Sequence, residues 1–362
     1  MRVGIVGLPS SGKTTLFRAL TRGAVQTDTF SSRSGRAGVG VITVPDRRLD
    51  YLAAKYKPKK VTHASIEFVD GAARVDHDGG RARFGTDFFA DVRQVDALAH
   101  VVRGFTDAAG EPPTPIRDAQ MLADELVLAD LMVIESRMER VKKQLHGVKK
   151  GVTTPATIEM DLLGRIKSAL ESDSCLSGVE LSPDERRLVR SYDLLTLKPR
   201  IAVLNISEGE IGAPSEETLR FREFCAGLSI PEIELCAEVE MEVSEFSEEE
   251  EAEFLSSMGI AEPARSRLIR VCYGALGLIS FFTISEPEVR AWTIRQGSKA
   301  IDAAGTIHSD MARGFIRAEV AAFADVEAAG GWEEAKRTGL VHLQGKDYVV
   351  QDGDVIYIRF HV

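Results

Sequence analysis

The sequence predicts an α/β fold that carries a long helical insertion and closes on a small α+β domain, on three observations. Residues 2–7 are a short apolar run ending in glycine, and Lys13 to Leu20 have the composition of a helix start, so the chain opens strand, loop, helix. Three further apolar runs, Ile66–Val69, Ala97–Val102 and Ile201–Leu204, are short and rich in β-branched or small residues, as buried parallel strands are. Between the last two, Val127, Leu131, Ile134, Met138, Val141 and Leu145 recur at alternating spacings of four and three, an a/d seam.

A returning helical pattern follows with Ile158, Leu162, Ile166 and Leu170. Ser182-Pro183-Asp184-Glu185 then has the form of a capping box with proline at the first helical position, and Leu188, Tyr192 and Leu195 continue that helix towards Pro199. Residues 114–199 therefore read as an antiparallel helical hairpin, a coiled coil set between strands of the α/β domain. The acidic run Glu248 to Glu251 reads as a solvated face. An apolar helix is expected around Leu268–Leu278. Beyond it, Ile279–Ile284, Tyr348–Val350 and Val355–Phe360 read as strands, with Asp352-Gly353-Asp354 as a hairpin turn. The expected domains are residues 1–113 with 200–280, the insertion 114–199, and a closing domain 281–362.

Composition sets the class. A chain of 362 residues, 28% charged and 44% hydrophobic, is expected to fold as two or three domains. No apolar run is long enough to span a bilayer, and the start MRVGIVGLPSSGKTT turns glycine-rich too early for a secretory signal, so a cytoplasmic location without membrane contact is expected. The four cysteines show no CxxC spacing for zinc or thiol exchange. A net charge of −10 argues against coating nucleic acid by charge alone, although the first 110 residues carry a basic excess suited to a small polyanion.

Gly7-Leu8-Pro9-Ser10-Ser11-Gly12-Lys13-Thr14 matches G-x-x-x-x-G-K-[ST] at every fixed position, between a predicted strand and a predicted helix. In such a loop backbone N–H groups wrap phosphates, the helix adds its positive N-terminal dipole, lysine reaches the β- and γ-phosphates, and the threonine hydroxyl ligates Mg²⁺. The expected phosphate-binding residues are thus Pro9, Ser10, Ser11, Gly12, Lys13, Thr14 and Thr15. Asp70, closing the strand Ile66–Val69, is the expected second metal residue beside Thr14. Base recognition falls to the loop after Ile201–Leu204, which reads Asn205-Ile206-Ser207-Glu208 where GTPases carry Asn-Lys-x-Asp. Without the aspartate the contact that selects guanine is gone. Backbone contacts near Cys236 and Ala237 are expected to contribute.

These residues, with Val39-Gly40-Val41, Val44-Pro45-Asp46, Arg48-Leu49, Val95-Asp96-Ala97 and His100–Arg103, resemble the Obg-like ATPase family, also called YchF, of translation-factor-class P-loop NTPases. The likeness extends through 288–294, 314–320, Gly345–Tyr348 and Val350–Asp354, and covers the whole length. It implies a Ras-like domain preferring ATP to GTP with Mg²⁺, a helical hairpin insertion, a ubiquitin-like TGS domain, and partners on the ribosome or in translation and stress responses. Any RNA contact of the TGS segment would be local, through Arg313, Arg317, Lys336 and Arg337.

The departures from the family pattern bear on catalysis. Ser10 stands where the family has an asparagine associated with monovalent-cation use. Ser34 falls where the first switch has threonine, and with Lys13 it is the expected catalytic residue; Arg33, Arg36 and Arg74 are arginine-finger candidates. The second switch, D-x-x-G-L in the family, becomes Asp70-Gly71-Ala72-Ala73-Arg74, and Asp91 precedes Val92-Arg93 where the family has histidine or asparagine. Nucleotide binding is expected to be intact and hydrolysis slow. The alternatives are a diverged GTP-binding protein or a non-hydrolysing module that binds the ribosome or another protein.

Overall fold

The computed structural model describes residues 1–21, 38–70, 75–78, 81–84, 86–147, 149, 152–173, 179–260 and 262–361. Its strands are β1 (Arg2–Val6), β2 (Gly38–Thr43), β3 (Lys60–Thr62), β4 (Ser65–Asp70), β5 (Val75–Asp78), β6 (Arg81–Phe84), β7 (Ala97–Gly104), β8 (Arg200–Ile206), β9 (Glu232–Leu235), β10 (Leu278–Ile284), β11 (Glu288–Arg295), β12 (Phe315–Ala322), β13 (His342–Gln344) and β14 (Asp354–Phe360). The helices are α1 (Lys13–Thr21), α2 (Arg47–Tyr56), α3 (Thr86–Arg93), α4 (Pro115–Gln144), α5 (Pro155–Asp173), α6 (Pro183–Val189), α7 (Glu216–Gly227), α8 (Ala237–Val243), α9 (Glu248–Ser257), α10 (Ala264–Ala275), α11 (Ala300–Ile307), α12 (Ser309–Arg313), α13 (Phe323–Ala329) and α14 (Trp332–Arg337). Two compact units form: Met1–Gly40 with Phe68–Ala264, and Val41–Glu67 with Arg265–Val362.

The first unit is built on a six-stranded sheet of order β2-β4-β1-β7-β8-β9. β1, β7, β8 and β9 run parallel, with Val6 opposite His100 and His100 opposite Ala202. Helices cover such a sheet on both faces, which is why these strands read as continuous apolar runs. Leu98 packs with Leu122 and Leu126 of α4, and Val102 with Phe221 of α7.

Between β7 and β8 the chain makes the helical insertion. α4 is 30 residues long, and its Val127, Ile134 and Val141 are buried against Leu162, Leu163, Ile166 and Leu170 of α5. Leu131, Met138 and Leu145 line the same cluster, so the expected seam is the packed one. α6 starts on the expected capping box, with Ser182 and Glu185 exchanging hydrogen bonds. A fully buried carboxylate on α4, Asp130, accepts hydrogen bonds from the Leu195 and Thr196 amides (3.0 and 2.8 Å), the Thr196 hydroxyl (2.8 Å) and the Arg93 guanidinium of α3 (3.1 Å).

The second unit has a sheet of order β13-β12-β14-β10-β11-β3 over a core that includes Ile279, Phe281, Ile294, Ile356 and Ile358. Val41–Glu67 packs here because β3 extends the sheet edge, pairing parallel with Glu288–Arg290. Asp46 caps α2, and the Arg48 guanidinium bonds both Asp46 and Asp352 (2.8 and 2.7 Å) while lying over the Phe282 ring. Tyr348–Val350, expected as a strand, is not one. It makes a single antiparallel bridge from Val349 to Lys299, flanked by the Ala300 amide to the Tyr348 carbonyl (2.8 Å) and the Val350 amide to the Ser298 carbonyl (3.0 Å), and the turns at Lys346–Asp347 and Asp352–Gly353 end the pairing on either side.

Replacing Asp130 by alanine strands several buried donors and the Arg93 charge together, so unfolding free energy in urea should fall by about 3–5 kcal/mol. A loss under about 1 kcal/mol would show that water or another acceptor satisfies these donors.

Candidate functional site

The phosphate loop follows from its backbone. Gly7 (φ 153°) and Gly12 (φ 90°) both lie at positive φ, and a Cβ on either would stand 2.2 Å from the Val101 carbonyl oxygen or 2.1 Å from Asn205 Nδ2. Ser10 also adopts the left-handed region, with φ 60°. Lys13 opens α1 and its Nζ donates to the Leu8 carbonyl at 2.6 Å, so the loop curls around its own ammonium. Burial lowers the Lys13 pKa to about 8, against the opposing charge of Asp70. Burial in turn raises the Asp70 pKa, against the pull of Lys13 and Arg18. Asp70 thus stands in the field of Lys13 at the end of β4, where the sequence places it, and Thr14 is exposed on the first turn of α1.

Among the described residues no group of three or more His, Cys, Asp or Glu could hold a metal ion. One hydroxyl and one carboxylate suit Mg²⁺ nonetheless, because that ion keeps several waters and takes the rest of its oxygens from phosphates.

Asn205, the penultimate residue of β8, has its side chain buried. Its Nδ2 donates to the Ser11 carbonyl (3.0 Å) and its Oδ1 accepts from the Ala237 amide (2.9 Å). These bonds join the phosphate loop to the start of α8. A cleft of about 640 Å³ opens beside them, lined by Ser10, Gly12, Thr15, Asn205, Ile206, Glu208 and Ala237 among the expected residues. Pro9, Ser11, Lys13, Thr14 and Cys236 lie outside this lining. Burial raises the Cys236 thiol's pKa, and its side chain packs in the apolar cluster of Phe221 and Val239.

The lining also holds Glu238, beside the expected Cys236 and Ala237, and residues the sequence reading passed over: Gly104 at the end of β7, Phe105, Thr106, Ala108 and Pro113 beyond it, and Glu210. Their signal was position, since ligands of open parallel sheets sit beyond the carboxyl ends of the strands. Ser34, Arg33, Arg36 and Arg74 lie outside the described residues. Of the proposed RNA contacts, Arg313, Lys336 and Arg337 form ion pairs with Asp310, Glu319 and Glu334. No helix among the described residues is long and apolar enough to cross a membrane.

Comparison with known proteins matches residues 2–131 to the family described as 50S ribosome-binding GTPase (MMR_HSR1), and residues 278–361 to YchF-GTPase_C, described as a protein of unknown function (DUF933). The chain is 42% identical to the ribosome-binding ATPase YchF of Bacillus subtilis, covering 100% of both chains. It is 39% identical to the protein of that name from Haemophilus influenzae, covering 100% of this chain and 99% of the other. The solved structure of the Schizosaccharomyces pombe YchF GTPase superposes with a TM-score of 0.87 at 29% identity, over 99% of this chain and 97% of that one.

Phosphates binding at Lys13 would raise its pKa from about 8, so nucleotide affinity should be level below that pH and weaken above it, by up to about tenfold per pH unit. Calorimetric titration with a non-hydrolysable triphosphate at pH 7, 8 and 9 checks the sign. An affinity unchanged at pH 9 would mean that the ammonium gains nothing from the phosphates.

Proposed function

The chain belongs to the YchF family, and from that premise we propose that it is a Mg²⁺-dependent nucleotide switch that binds the ribosome, prefers ATP to GTP and hydrolyses it slowly. The observation that carries this reading is the cleft of about 640 Å³ in which the phosphate loop and the Asn205–Glu208 segment share one wall. Relatives alike over their whole length are named ribosome-binding ATPases, which supports the partner and the nucleotide.

In this reading the triphosphate lies along Ser10–Thr15, with loop amides and the α1 dipole facing its oxygens. Lys13 exchanges the Leu8 carbonyl for the β- and γ-phosphates and counters the charge that spreads over the γ-phosphoryl oxygens as the bond to it loosens. Thr14 and Asp70 would hold Mg²⁺, which supplies further positive charge at the β- and γ-oxygens when bound. Asn205 orients both loops through Oδ1 and one N–H of Nδ2, which leaves its second N–H as a donor for the base. The base would rest by Ile206 and Ala237, with Phe105 of the same lining as an aromatic surface. Glu208 replaces the aspartate that grips guanine in GTPases, which favours adenine.

Equilibrium titration with ATP, ADP, GTP and GDP analogues in Mg²⁺ should show tighter adenine binding, lost in Lys13→Ala. Guanine binding equal or tighter would move the chain to the GTP-binding reading. Phosphate release should exceed that of Lys13→Ala and respond to added ribosomes. Release no faster than that control leaves a nucleotide-sensing module without turnover.

A further inference from the structure

The second unit holds a cavity of about 310 Å³, at the small end of the range of small-molecule sites. Side chains on β10 and β14 alternate between the two faces of their sheet, and Ile279, Phe281, Ile356 and Ile358 take the face that packs with α11. On the other face Phe282 meets Phe323 of α13, and further along the same face Ile284, Val355 and Tyr357 floor the cavity. Tyr357 is 57% exposed, although Ile356 and Ile358 on either side of it are buried.

The walls are Tyr56, the last residue of α2, and Trp332, the first of α14. The Trp332 amide donates to the Tyr56 hydroxyl oxygen at 2.5 Å, and a Cβ on Gly331 (φ 138°) would stand 3.1 Å from that oxygen, so glycine lets the two aromatic residues close on each other. The charged side chains of the lining are both acids. Glu286 lies in the turn between β10 and β11, which is fixed by the Ser285 hydroxyl donating to the Glu288 carbonyl (2.8 Å) and accepting from the Glu288 amide (3.2 Å). Glu333 lies on the first turn of α14. Neither carboxylate has a hydrogen-bond or ion-pair partner among the described residues. The neighbouring cations are engaged elsewhere, Lys60 with Glu288 at 3.4 Å, Lys336 with Glu319 at 3.1 Å and Arg359 with Glu319, while Lys55 passes Gly331 outside the lining. Because aromatic faces are themselves negative, rings and carboxylates give this cavity a potential of one sign.

We propose that the cavity binds an alkylammonium group, its charge set among Tyr56, Trp332 and Tyr357 and countered by Glu286 and Glu333, its methylene stem against Ile284 and Val355. Ring faces attract a cation through their quadrupole, and the unpaired carboxylates add to that attraction, whereas a neutral chain gains the stem contact alone. Free polyamines and the lysine side chains of proteins both present this group. The site uses residues of the second unit only, so it stands or falls apart from the nucleotide reading.

The test uses the full-length ¹⁵N-labelled protein at about 0.15 M salt, to screen diffuse attraction, with n-butylammonium as the probe. The chain has two tryptophans, so two indole N–H signals report: Trp332 at the cavity, and Trp292, which packs with the core on the other face. A saturable shift of the Trp332 signal is expected, with Trp292 unmoved, and n-butanol, which has the same stem and no charge, should bind several-fold more weakly. Glu286→Gln combined with Glu333→Gln keeps the shape of two exposed side chains and should weaken n-butylammonium binding about threefold to tenfold. Tyr357→Leu should weaken it about twofold to fivefold, and thermal unfolding of these variants confirms that they are folded. Spermidine and a capped tripeptide with a central lysine, titrated in the same way, separate the two sources, the tighter of them identifying the one the site is built for. No saturable shift of Trp332, n-butanol binding as tightly as n-butylammonium, or unchanged affinity in the folded double glutamine variant would each overturn the proposal.

Discussion

The Ser11 carbonyl of the phosphate loop must find a hydrogen-bond partner without a strand ladder to supply one, and the buried amide of Asn205 meets that constraint at the loop's turning point. It donates to the Ser11 carbonyl and accepts from the Ala237 amide, so one side chain closes the loop on one side and starts α8 on the other. The approach is so close that residue 12 must be glycine. The curvature that puts Lys13 against Asp70, and the wall of the cleft next to it, both rest on that contact.

Elsewhere in the first unit the same rule operates at larger scale. The central strands β1, β7 and β8 are buried along most of their length, and His100 and Asn205 are their buried polar side chains. Asp130 is a buried charge with a structural task. By accepting from α3 and from the Leu195–Thr196 backbone it ties the base of the long insertion to α3. Packing along the seam holds α4 to α5, but this ionic anchor decides where the pair is rooted.

The second unit is organised around Arg48. Its guanidinium reaches Asp46 two residues away and Asp352 at the far end of the chain, while the Asp352 carboxylate also accepts from the Ser280 amide at 2.9 Å. Asp46–Arg48 and Asp352 belong to two stretches that carry the family resemblance independently, and they turn out to be halves of one contact. With the β3–β11 pairing, it holds Val41–Glu67 to residues 265–362.

What the sequence alone determined is local. The strand-loop-helix of residues 2–20, the seam from Val127 to Leu145, the Ser182 capping box and the Asn205–Glu208 segment all depend on spacings within a few residues, and each is visible in the chain itself. Only the tertiary structure decided which distant segments meet: Arg48 with Asp352, Asp130 with Arg93, and Phe105 with Asn205 in the lining of one cleft. It also cut the expected strand at Tyr348–Val350 to a single bridge, because turns on both sides leave only Val349 opposite Lys299. The physical reason is the same in each case. Backbone propensity and hydrophobic period act over one or two turns, whereas the partner of a buried charge or amide is set by chain crossings that no short window of sequence contains.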